Sequence, residues 1–299
     1  MSEPTLPTRL IVATDMSARC DRALARAWQL ARTWNSELGV VHAVSPSEVA
    51  HRERMSGDAP SWRRSEPWTS MLERRLRDDL VAEGISASCS VVVGAPADAV
   101  LEASGGDGNS LVVLGIAKDA CLDRVQLGST VDSLVRHARI PVLNVRSRGS
   151  TPYGHVLVAT DFSEPAGRAL AMAARWFEGA KLTLFHAYQP SVSAVDMGTA
   201  AIDASCAAVT RQCEAHLAGL DLPASTATAL QRLLEPGLPA ELLADYVAHG
   251  NVDLVVLGSQ GRSGLPRALL GSTAEQLLHS LDCDTLVVRG GSPYCPNAL

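Results

Sequence analysis

The chain has 299 residues, which is long enough for two domains of about 150 residues, each burying its own core. Hydrophobic residues make up 46% and charged residues 19%, a composition that excludes an intrinsically disordered chain. The net charge of -6 gives no electrostatic reason to expect nucleic acid as a partner, and no apolar run approaches the ~20 residues that span a membrane.

The first half of the chain alternates short apolar runs, beginning with Leu10-Ile-Val-Ala-Thr-Asp15, with longer helical patterns. After its second run, the stretch 46–70 is polar and contains three prolines and one glycine, Pro46, Gly57, Pro60 and Pro67. This composition predicts a long surface loop that leads into an arginine-rich helix. Ser147-Arg-Gly-Ser-Thr-Pro152 then predicts a linker between two domains, 1–147 and 153–291.

The second half repeats the same alternation with clearer boundaries. Its apolar runs lack in/out alternation, which is typical of strands buried on both faces of a parallel sheet. We therefore predict an open five-stranded parallel sheet in each half, with helices on both faces and strand order 3-2-1-4-5. The predicted strands of the second half are 155–160, 181–187, 226–233, 252–258 and 284–289, and the helices are 164–178, 199–219, 239–249 and 271–281.

The two halves carry the same landmarks 143 positions apart. Leu111-Val-Val-Leu-Gly115 recurs as Leu254-Val-Val-Leu-Gly258, and Gly128-Ser-Thr130 recurs as Gly271-Ser-Thr273. A repeat of this length indicates a duplicated domain rather than a solenoid of 20–50-residue units. The sequence thus predicts two tandem α/β domains.

The residues of the second repeat suggest a site for an anion. Gly258 ends a predicted strand, and Gly271 opens a helix whose first N–H groups and dipole attract negative charge. Gly258 and Gly261 would allow a positive φ and leave no Cβ between the backbone and a ligand. Arg262 could add a cation over the phosphates. Ser272 and Thr273 supply hydroxyl donors at the start of the helix.

Asp161 is a further candidate for this site, and the same residues also have two simpler explanations. Asp161 follows the first strand of the second half, at the edge where such sheets bind ligands, and it could accept a hydrogen bond from a base or sugar. Alternatively, Asp161 and Ser163 only cap the next helix. Glycine also ends strands in many α/β proteins, and no Walker A or dinucleotide-binding glycine motif is present.

The sequence carries few signals for disulfides, metal binding or catalysis. The seven cysteines are scattered without a C-x-x-C pair, and the first residues lack an apolar signal segment, so we expect free thiols and a cytoplasmic location. No residues have the spacing of a metal site, and no Ser-His-Asp set can be assembled from the sequence order. We therefore predict neither a metal site nor catalytic residues.

These residues resemble the universal stress protein family in a tandem two-domain form. The family's phosphate loop is written G-x2-G-x9-G-[ST], and Gly258-x2-Gly261-x9-Gly271-Ser272 fits it without a gap. The strand end Val-Ala-Thr-Asp161, the turn Gly237-Leu-Pro239 and the ending Leu-Val-Val-Arg289 are also similar to the family. The resemblance covers nearly the whole chain.

The resemblance implies a Rossmann-like sheet in each half and ATP, with or without Mg²⁺, in members that keep the loop. It implies that Asp161 and the backbone around Ala187 contact the adenine end. It places Gly258, Ser259 and Gly261 at the ribose and first phosphates, and Gly271, Ser272 and Thr273 at the outer phosphates. It further implies that the last strands, 140–146 and 283–289, pair the two halves as an internal pseudo-dimer, and it leaves open whether two chains form a homodimer.

The first half departs from this pattern at one position, where Lys118 replaces the second glycine. If that position needs a positive φ, a residue other than glycine costs roughly 1–2 kcal/mol. We therefore expect one nucleotide per chain, in the second half. The function expected is an ATP-binding stress or signalling switch, and the alternatives are an interaction module that binds no nucleotide and a slow ATPase on the same fold.

Overall fold

The computed structural model describes residues 5–18, 20–56, 66–105, 109–116, 127–148, 151–189, 199–259 and 270–289. Strands and helices alternate through both halves of this part of the chain. The elements of the first half are β1 (Arg9–Thr14), α1 (Asp21–Trp34), β2 (Glu37–Val44), α2 (Pro46–Ser56), α3 (Trp68–Ala82), β3 (Ser88–Val93), α4 (Pro96–Ala103), β4 (Ser110–Gly115), α5 (Ser129–His137) and β5 (Val142–Val145).

The second half repeats this order. Its elements are β6 (His155–Ala159), α6 (Glu164–Trp176), β7 (Lys181–Tyr188), α7 (Thr199–Ala218), α8 (Ala224–Ala229), β8 (Gln231–Pro236), α9 (Pro239–His249), β9 (Leu254–Gly258), α10 (Ser272–Ser280) and β10 (Asp284–Val288). No helix in the described part of the chain is long and apolar enough to cross a membrane.

All ten strands join one sheet in the order β3-β2-β1-β4-β5-β10-β9-β6-β7-β8. Within each half the strands are parallel and follow the predicted order 3-2-1-4-5. The strands are buried on both faces, since Leu10 and Val12 enter one hydrophobic core while Ile11 enters the core on the other face. The predicted α/β fold class is therefore confirmed.

The two halves meet at β5 and β10, which pair antiparallel with Leu143 opposite Leu286. Two equivalent arginines cross this seam: a guanidinium nitrogen of Arg146 donates to the carbonyl of Leu278, and Nη2 of Arg289 donates to the carbonyl of Val135 at 3.1 Å. This reciprocal pattern follows the 143-residue offset of the repeat. The predicted pairing of the last strands into an internal pseudo-dimer is confirmed.

One buried ion pair reinforces the seam on one side only. Arg26 Nε lies 3.5 Å from Asp284 Oδ2, with side chains 3% and 0% exposed. Oδ1 of Asp284 accepts the backbone N–H groups of Arg146 and Ser147 at 2.8 Å each, and Oδ2 accepts the hydroxyl of Tyr153 at 2.7 Å. Burial, with the nearby Asp284 carboxylate, raises the pKa of Tyr153 well above its ordinary value, so the phenol remains a donor.

The predicted loop over 46–70 is wrong in its first part, because Pro46–Ser56 forms the helix α2. Proline at the first helical position costs no hydrogen bond, and its fixed φ suits the helix. The hydroxyl of Ser45 accepts the N–H of Glu48 at 3.2 Å, which caps the helix start. The following residues, 57–65, lie outside the described part, and the predicted arginine-rich helix is α3.

The predicted strand 226–233 is wrong at its beginning, because Ala224–Ala229 forms the helix α8 and β8 starts only at Gln231. The segment Ala-Ser-Thr-Ala-Thr-Ala follows Pro223, and alanine has the highest intrinsic helix propensity. Thr226 and Thr228 have strand propensity, but they alternate with alanine rather than with large apolar side chains.

Candidate functional site

Two neighbouring strands bring the predicted site residues to one edge of the second half-sheet. β6 and β9 pair in parallel, with Ala159 opposite Leu257, so Asp161 and Gly258 follow adjacent strand ends. In an open sheet, this is the switch point where the strand order reverses and ligands bind. The structure therefore places Asp161 and the end of β9 beside one crevice, as the strand order predicts.

A cavity of about 260 Å³ lies at this edge. Apolar side chains from three strands and three helices form part of its lining, including Phe185, Leu243 and Leu277. The polar part of the lining comes from the strand ends and the beginning of α10. Six of the predicted site residues line the cavity: Asp161, Ala187, Gly258, Gly271, Ser272 and Thr273.

The turn that carries Asp161 is held by its own side chains. Oγ1 of Thr160 accepts the N–H of Phe162 at 2.9 Å, and Oδ1 of Asp161 accepts the N–H of Ser163 at 3.0 Å. Ser163 is the N-cap of α6 and accepts the N–H of Ala166 at 3.4 Å. The capping arrangement considered for Asp161 and Ser163 therefore exists, and Asp161 lines the cavity as well.

His186 fixes the adjacent strand ends. Its Nδ1 lies 2.7 Å from the carbonyl oxygen of Thr160. The centroid of its ring lies 4.2 Å from that of Phe162, with the two planes tilted by 39°, and Phe162 has the left-handed φ of 62°. The equivalent His42 makes the same contact, with Nδ1 2.9 Å from the carbonyl oxygen of Thr14. The repeated geometry indicates that both histidines position the strand ends.

Gly258 is required for packing and not for a positive φ, which corrects the sequence interpretation. A Cβ at Gly258 would lie 3.3 Å from both the backbone nitrogen of Ala166 and the carbonyl carbon of Pro165. These are backbone atoms of α6, which cannot rotate away as a side chain can. The glycine thus lets the end of β9 approach the first turn of α6 closely.

Gly271 has a different environment at the start of α10. It is the N-cap with φ -63° and ψ 143°, and a Cβ there would meet only the carbonyl oxygen of Ser259, at 3.9 Å. The N-cap glycine supplies no capping side chain, and Ser272 and Thr273 are exposed. Within the described part of the chain, the N–H groups of the first turn therefore have no side-chain acceptor, which favours an anion there.

Ser259 lies behind the cavity edge. Its N–H donates to the carbonyl of Val288 at 2.9 Å, and its own carbonyl accepts the N–H of Gly271 at 3.1 Å. The side chain is buried, and its Oγ has no hydrogen-bond partner in the described structure. Ser259 is not among the described residues of the cavity lining. The hydrogen bond from Gly271 to its carbonyl ties the end of β9 to the start of α10.

Three residues of the sequence interpretation, Gly261, Arg262 and Lys118, lie outside the described part of the chain. Their predicted roles stay predictions. Among the residues that are described, no group of three or more His, Cys, Asp or Glu side chains is arranged to hold a metal ion.

The first half contains a larger cavity at the equivalent edge, of about 1140 Å³. Asp15 and the start of α5 line it, as their counterparts line the second cavity. Arg22 and Arg148 also line it, and the sequence interpretation overlooked both. The repeat held a signal for Arg22: its counterpart Arg168 has Glu164 one turn earlier, whereas the first half has alanine at that place.

Comparisons with known proteins agree with the fold and the duplication. A sequence profile described as "Universal stress protein family" matches residues 7–146 and 152–289. A universal stress protein of Mycobacterium tuberculosis is 29% identical over 320 aligned positions, covering 97% of this chain and 99% of that protein. Universal stress protein E of Salmonella typhi is 48% identical over 56 residues, but the match spans 19% of this chain and only 18% of that relative's length.

Two solved structures share the fold over nearly the full length. A universal stress protein from Archaeoglobus fulgidus has a TM-score of 0.64 at 19% identity, covering 95% of this chain and 99% of the other. A putative universal stress protein from Pseudomonas aeruginosa has a TM-score of 0.64 at 20% identity, covering 95% and 93%. At such identities these structures support the architecture and leave the ligand to be argued from the site.

Proposed function

The chain belongs to the universal stress protein family, and on that premise we propose that its second half binds ATP and that the protein is a nucleotide-dependent regulatory switch of a stress response rather than a fast enzyme. The observation that carries this proposal is the convergence, at one cavity, of Asp161, apolar walls and the uncapped start of α10. Each of these features suits a different part of an adenine nucleotide.

The apolar walls suit a purine ring, and Asp161 can accept a hydrogen bond from an amino or hydroxyl group at that end. The N–H groups of α10 and the hydroxyls of Ser272 and Thr273, which also line the cavity, can donate to phosphate oxygens. Gly271 keeps the approach to these donors open, since no Cβ stands there.

The size of the cavity suits a nucleotide that is only partly enclosed. Its volume of about 260 Å³ lies just below the usual pocket range of roughly 300–1,000 Å³. We infer that the base end is enclosed and that the phosphates extend over the exposed first turn of α10. Mg²⁺ is commonly held by substrate phosphates with few protein carboxylates, so it would arrive with the nucleotide.

The first test asks whether the protein contains or binds nucleotide. We expect ATP among the nucleotides released by acid extraction of the purified protein, and about one ATP per chain by calorimetric titration. A protein that is empty after purification and also shows no heat with added ATP would leave the interaction-module alternative in its place. Phosphate release at about 1 s⁻¹ or faster, the low end of ordinary enzymes, would instead indicate an ATPase.

The second test locates the site with a matched pair of substitutions. Gly271→Ala places a methyl group in front of the phosphate donors, and the protein itself has room for it. Gly128→Ala makes the same change in the first half, where the N-cap has nearly the same backbone angles and nothing lies within 4 Å of the new Cβ. Because charged hydrogen bonds contribute about 1.5–3 kcal/mol, we expect Gly271→Ala to weaken ATP binding at least tenfold and Gly128→Ala to leave it unchanged.

A third substitution tests the loop itself. Gly261→Lys reproduces in the second half the residue found at Lys118 in the first. We expect it to abolish ATP binding while thermal stability stays near that of the wild type. Unchanged affinity in both Gly271→Ala and Gly261→Lys would place the nucleotide elsewhere.

A further inference from the structure

The first half carries its own cavity at the carboxyl edge of its strands, with two guanidinium groups in the lining. We propose that this cavity is a second ligand site, for a phosphate-rich anion that is recognised through its phosphates rather than through a base. The inference is independent of ATP binding in the second half, because it rests on different residues.

The two cations are placed by the fold. Arg22 lies in the first turn of α1, and its Nη1 donates to the carbonyl of Arg146 at 2.9 Å, which holds the partly buried guanidinium beside the end of β5. Arg148 lies two residues after Arg146 and is exposed. Neither arginine forms an ion pair with any described residue. Both positive charges therefore remain available to a ligand.

The second half shows what neutralises such a charge. Arg168, the counterpart of Arg22, donates to Glu164 Oε1 at 2.5 Å, one turn away on α6. In the first half the counterpart of Glu164 is Ala18, which lines the cavity. Among the described residues that line the second cavity, none is an arginine or lysine. The replacement of Glu164 by Ala18, together with the presence of Arg148, thus leaves the first cavity more positive.

The start of α5 adds to the same field. Its N-cap, Gly128, supplies no capping side chain, and Ser129 and Thr130 line the cavity beside it. Helix N–H groups and two guanidinium groups on one cavity provide the donors that multidentate phosphate groups need. The volume of about 1140 Å³ leaves ample room for a chain of linked phosphates.

The base-reading residue, by contrast, is engaged by its own turn. Oδ1 of Asp15 accepts the N–H of Ser17 at 2.9 Å, the hydroxyl of Ser17 at 2.5 Å and the thiol of Cys20 at 3.2 Å. In the second half alanine replaces the cysteine, and the serine hydroxyl caps α6 instead. The first site therefore differs from the second mainly in its two guanidinium groups, which are suited to holding phosphates.

The test uses the full chain and inorganic tripolyphosphate as the probe. We expect calorimetric titration to show one tripolyphosphate per chain at a physiological salt concentration. Arg22→Gln combined with Arg148→Gln should weaken this binding by tenfold or more for each charge-assisted hydrogen bond that the substitutions remove. The matched control Arg168→Gln, in the second half, should leave it unchanged.

A second variant keeps the test valid even if removing the hydrogen bond between Arg22 and Arg146 disturbs the fold. Ala18→Glu gives the first half the neutralising partner found at Glu164, and we expect it to weaken tripolyphosphate binding about tenfold with an unchanged melting temperature. Absence of binding to the wild type would overturn the proposal. So would binding that is insensitive to both first-half variants, or binding that Gly271→Ala removes, since the anion would then lie in the second half.

Discussion

The two halves of the chain share one fold, yet they present different chemistry at equivalent places, the carboxyl ends of their own strands. The first cavity has two arginines and an aspartate engaged by Ser17 and Cys20, whereas the second has mainly apolar walls and its counterpart arginine is paired with Glu164. Duplication kept the strand order and the helix starts, because these depend on many buried side chains. Single exposed positions, which contribute little to stability, could diverge.

The same contrast appears where the halves join. The reciprocal contacts of Arg146 and Arg289 are symmetric, but Asp284 corresponds to Pro141 in the first half, so the buried acceptor exists once. The seam is therefore specific for joining unlike halves. The predictions that follow test how much of the difference between the halves belongs to the fold and how much to a ligand.

The largest effect is expected from Asp284→Ala. The change removes the acceptor of three hydrogen bonds and leaves the buried Arg26 without its counter-charge. Breaking a buried pair from one side costs about 3–5 kcal/mol, so we expect a loss of that size in the free energy of unfolding by chemical denaturation.

Glu275→Ala is the control for Asp284→Ala. It also removes an ion pair that crosses the seam, with Arg136 at 2.7 Å, but that pair is partly exposed and contributes at most about 1 kcal/mol. Equal losses in the two variants would show that the buried network does not distinguish the seam.

The next effect separates a glycine required by packing from one kept open for a ligand. Gly258→Ala forces a methyl group against the backbone of α6, and overpacking of this kind costs about 1–3 kcal/mol. Gly271→Ala meets no such obstacle, so its free energy of unfolding should stay near that of the wild type. If both variants unfold alike, the close approach of β9 to α6 does not constrain Gly258.

Much of the fold follows from the sequence because its signals are repeated and long. The apolar runs in both halves fixed the parallel sheet, and the shared endings 140–146 and 283–289 indicated the seam. The helix at Pro46 was missed since proline was taken as a breaker, although Ser45 and Glu48 supply the start of a helix. The helix at Ala224–Ala229 was missed since its threonines resembled a strand pattern.

The site was predicted in part, for a physical reason. Asp161, Gly258 and Gly271 follow strands or begin helices, so topology alone brings them together. Arg22 reaches the first cavity from the first turn of α1, and Arg148 reaches it from the segment after β5. The two residues are far apart in the sequence, so their spacing does not indicate that they lie at one cavity. The packing demand on Gly258 likewise depends on how closely two elements approach, which a sequence pattern does not contain.

A smaller effect, confined to alkaline solution, tests the cysteine that distinguishes the first half. Burial raises the pKa of the Cys20 thiol from 9.0 to about 11. The folded state therefore favours the protonated thiol: this preference leaves stability intact below pH 9 and costs about 2 kcal/mol by pH 11. We expect Cys20→Ala, which copies Ala166, to resist alkaline unfolding better than the wild type over that window.

The measurement for Cys20 is the difference in the free energy of unfolding between the wild type and Cys20→Ala, taken at each pH. Cys283, whose pKa burial raises to about 12, and Tyr153 titrate in both proteins and cancel. A difference that stays flat from pH 7 to pH 11 would contradict the raised pKa of the partly buried Cys20 thiol.

The smallest effect concerns two buried polar side chains that face each other across the seam. Asn144 lies opposite Thr285, and Val142 lies opposite Val287, in the register of β5 and β10. By the repeat, Asn144 corresponds to Val287 and Thr285 to Val142. If two first halves or two second halves paired in the equivalent register, Asn144 or Thr285 would lie opposite a valine. Only the pairing of a first half with a second half sets Asn144 opposite Thr285.

This polar pair favours the correct partner without adding to stability. The side-chain polar atoms of Asn144 and Thr285 have no hydrogen-bond partner in the described structure, and a buried unsatisfied group costs about 1–3 kcal/mol. Asn144→Val with Thr285→Val should therefore raise the free energy of unfolding by about 1 kcal/mol, and Val287→Thr should lower it. If the double variant is less stable instead, Asn144 and Thr285 bond to each other or to a shared buried water, and the seam is held by the polar pair itself.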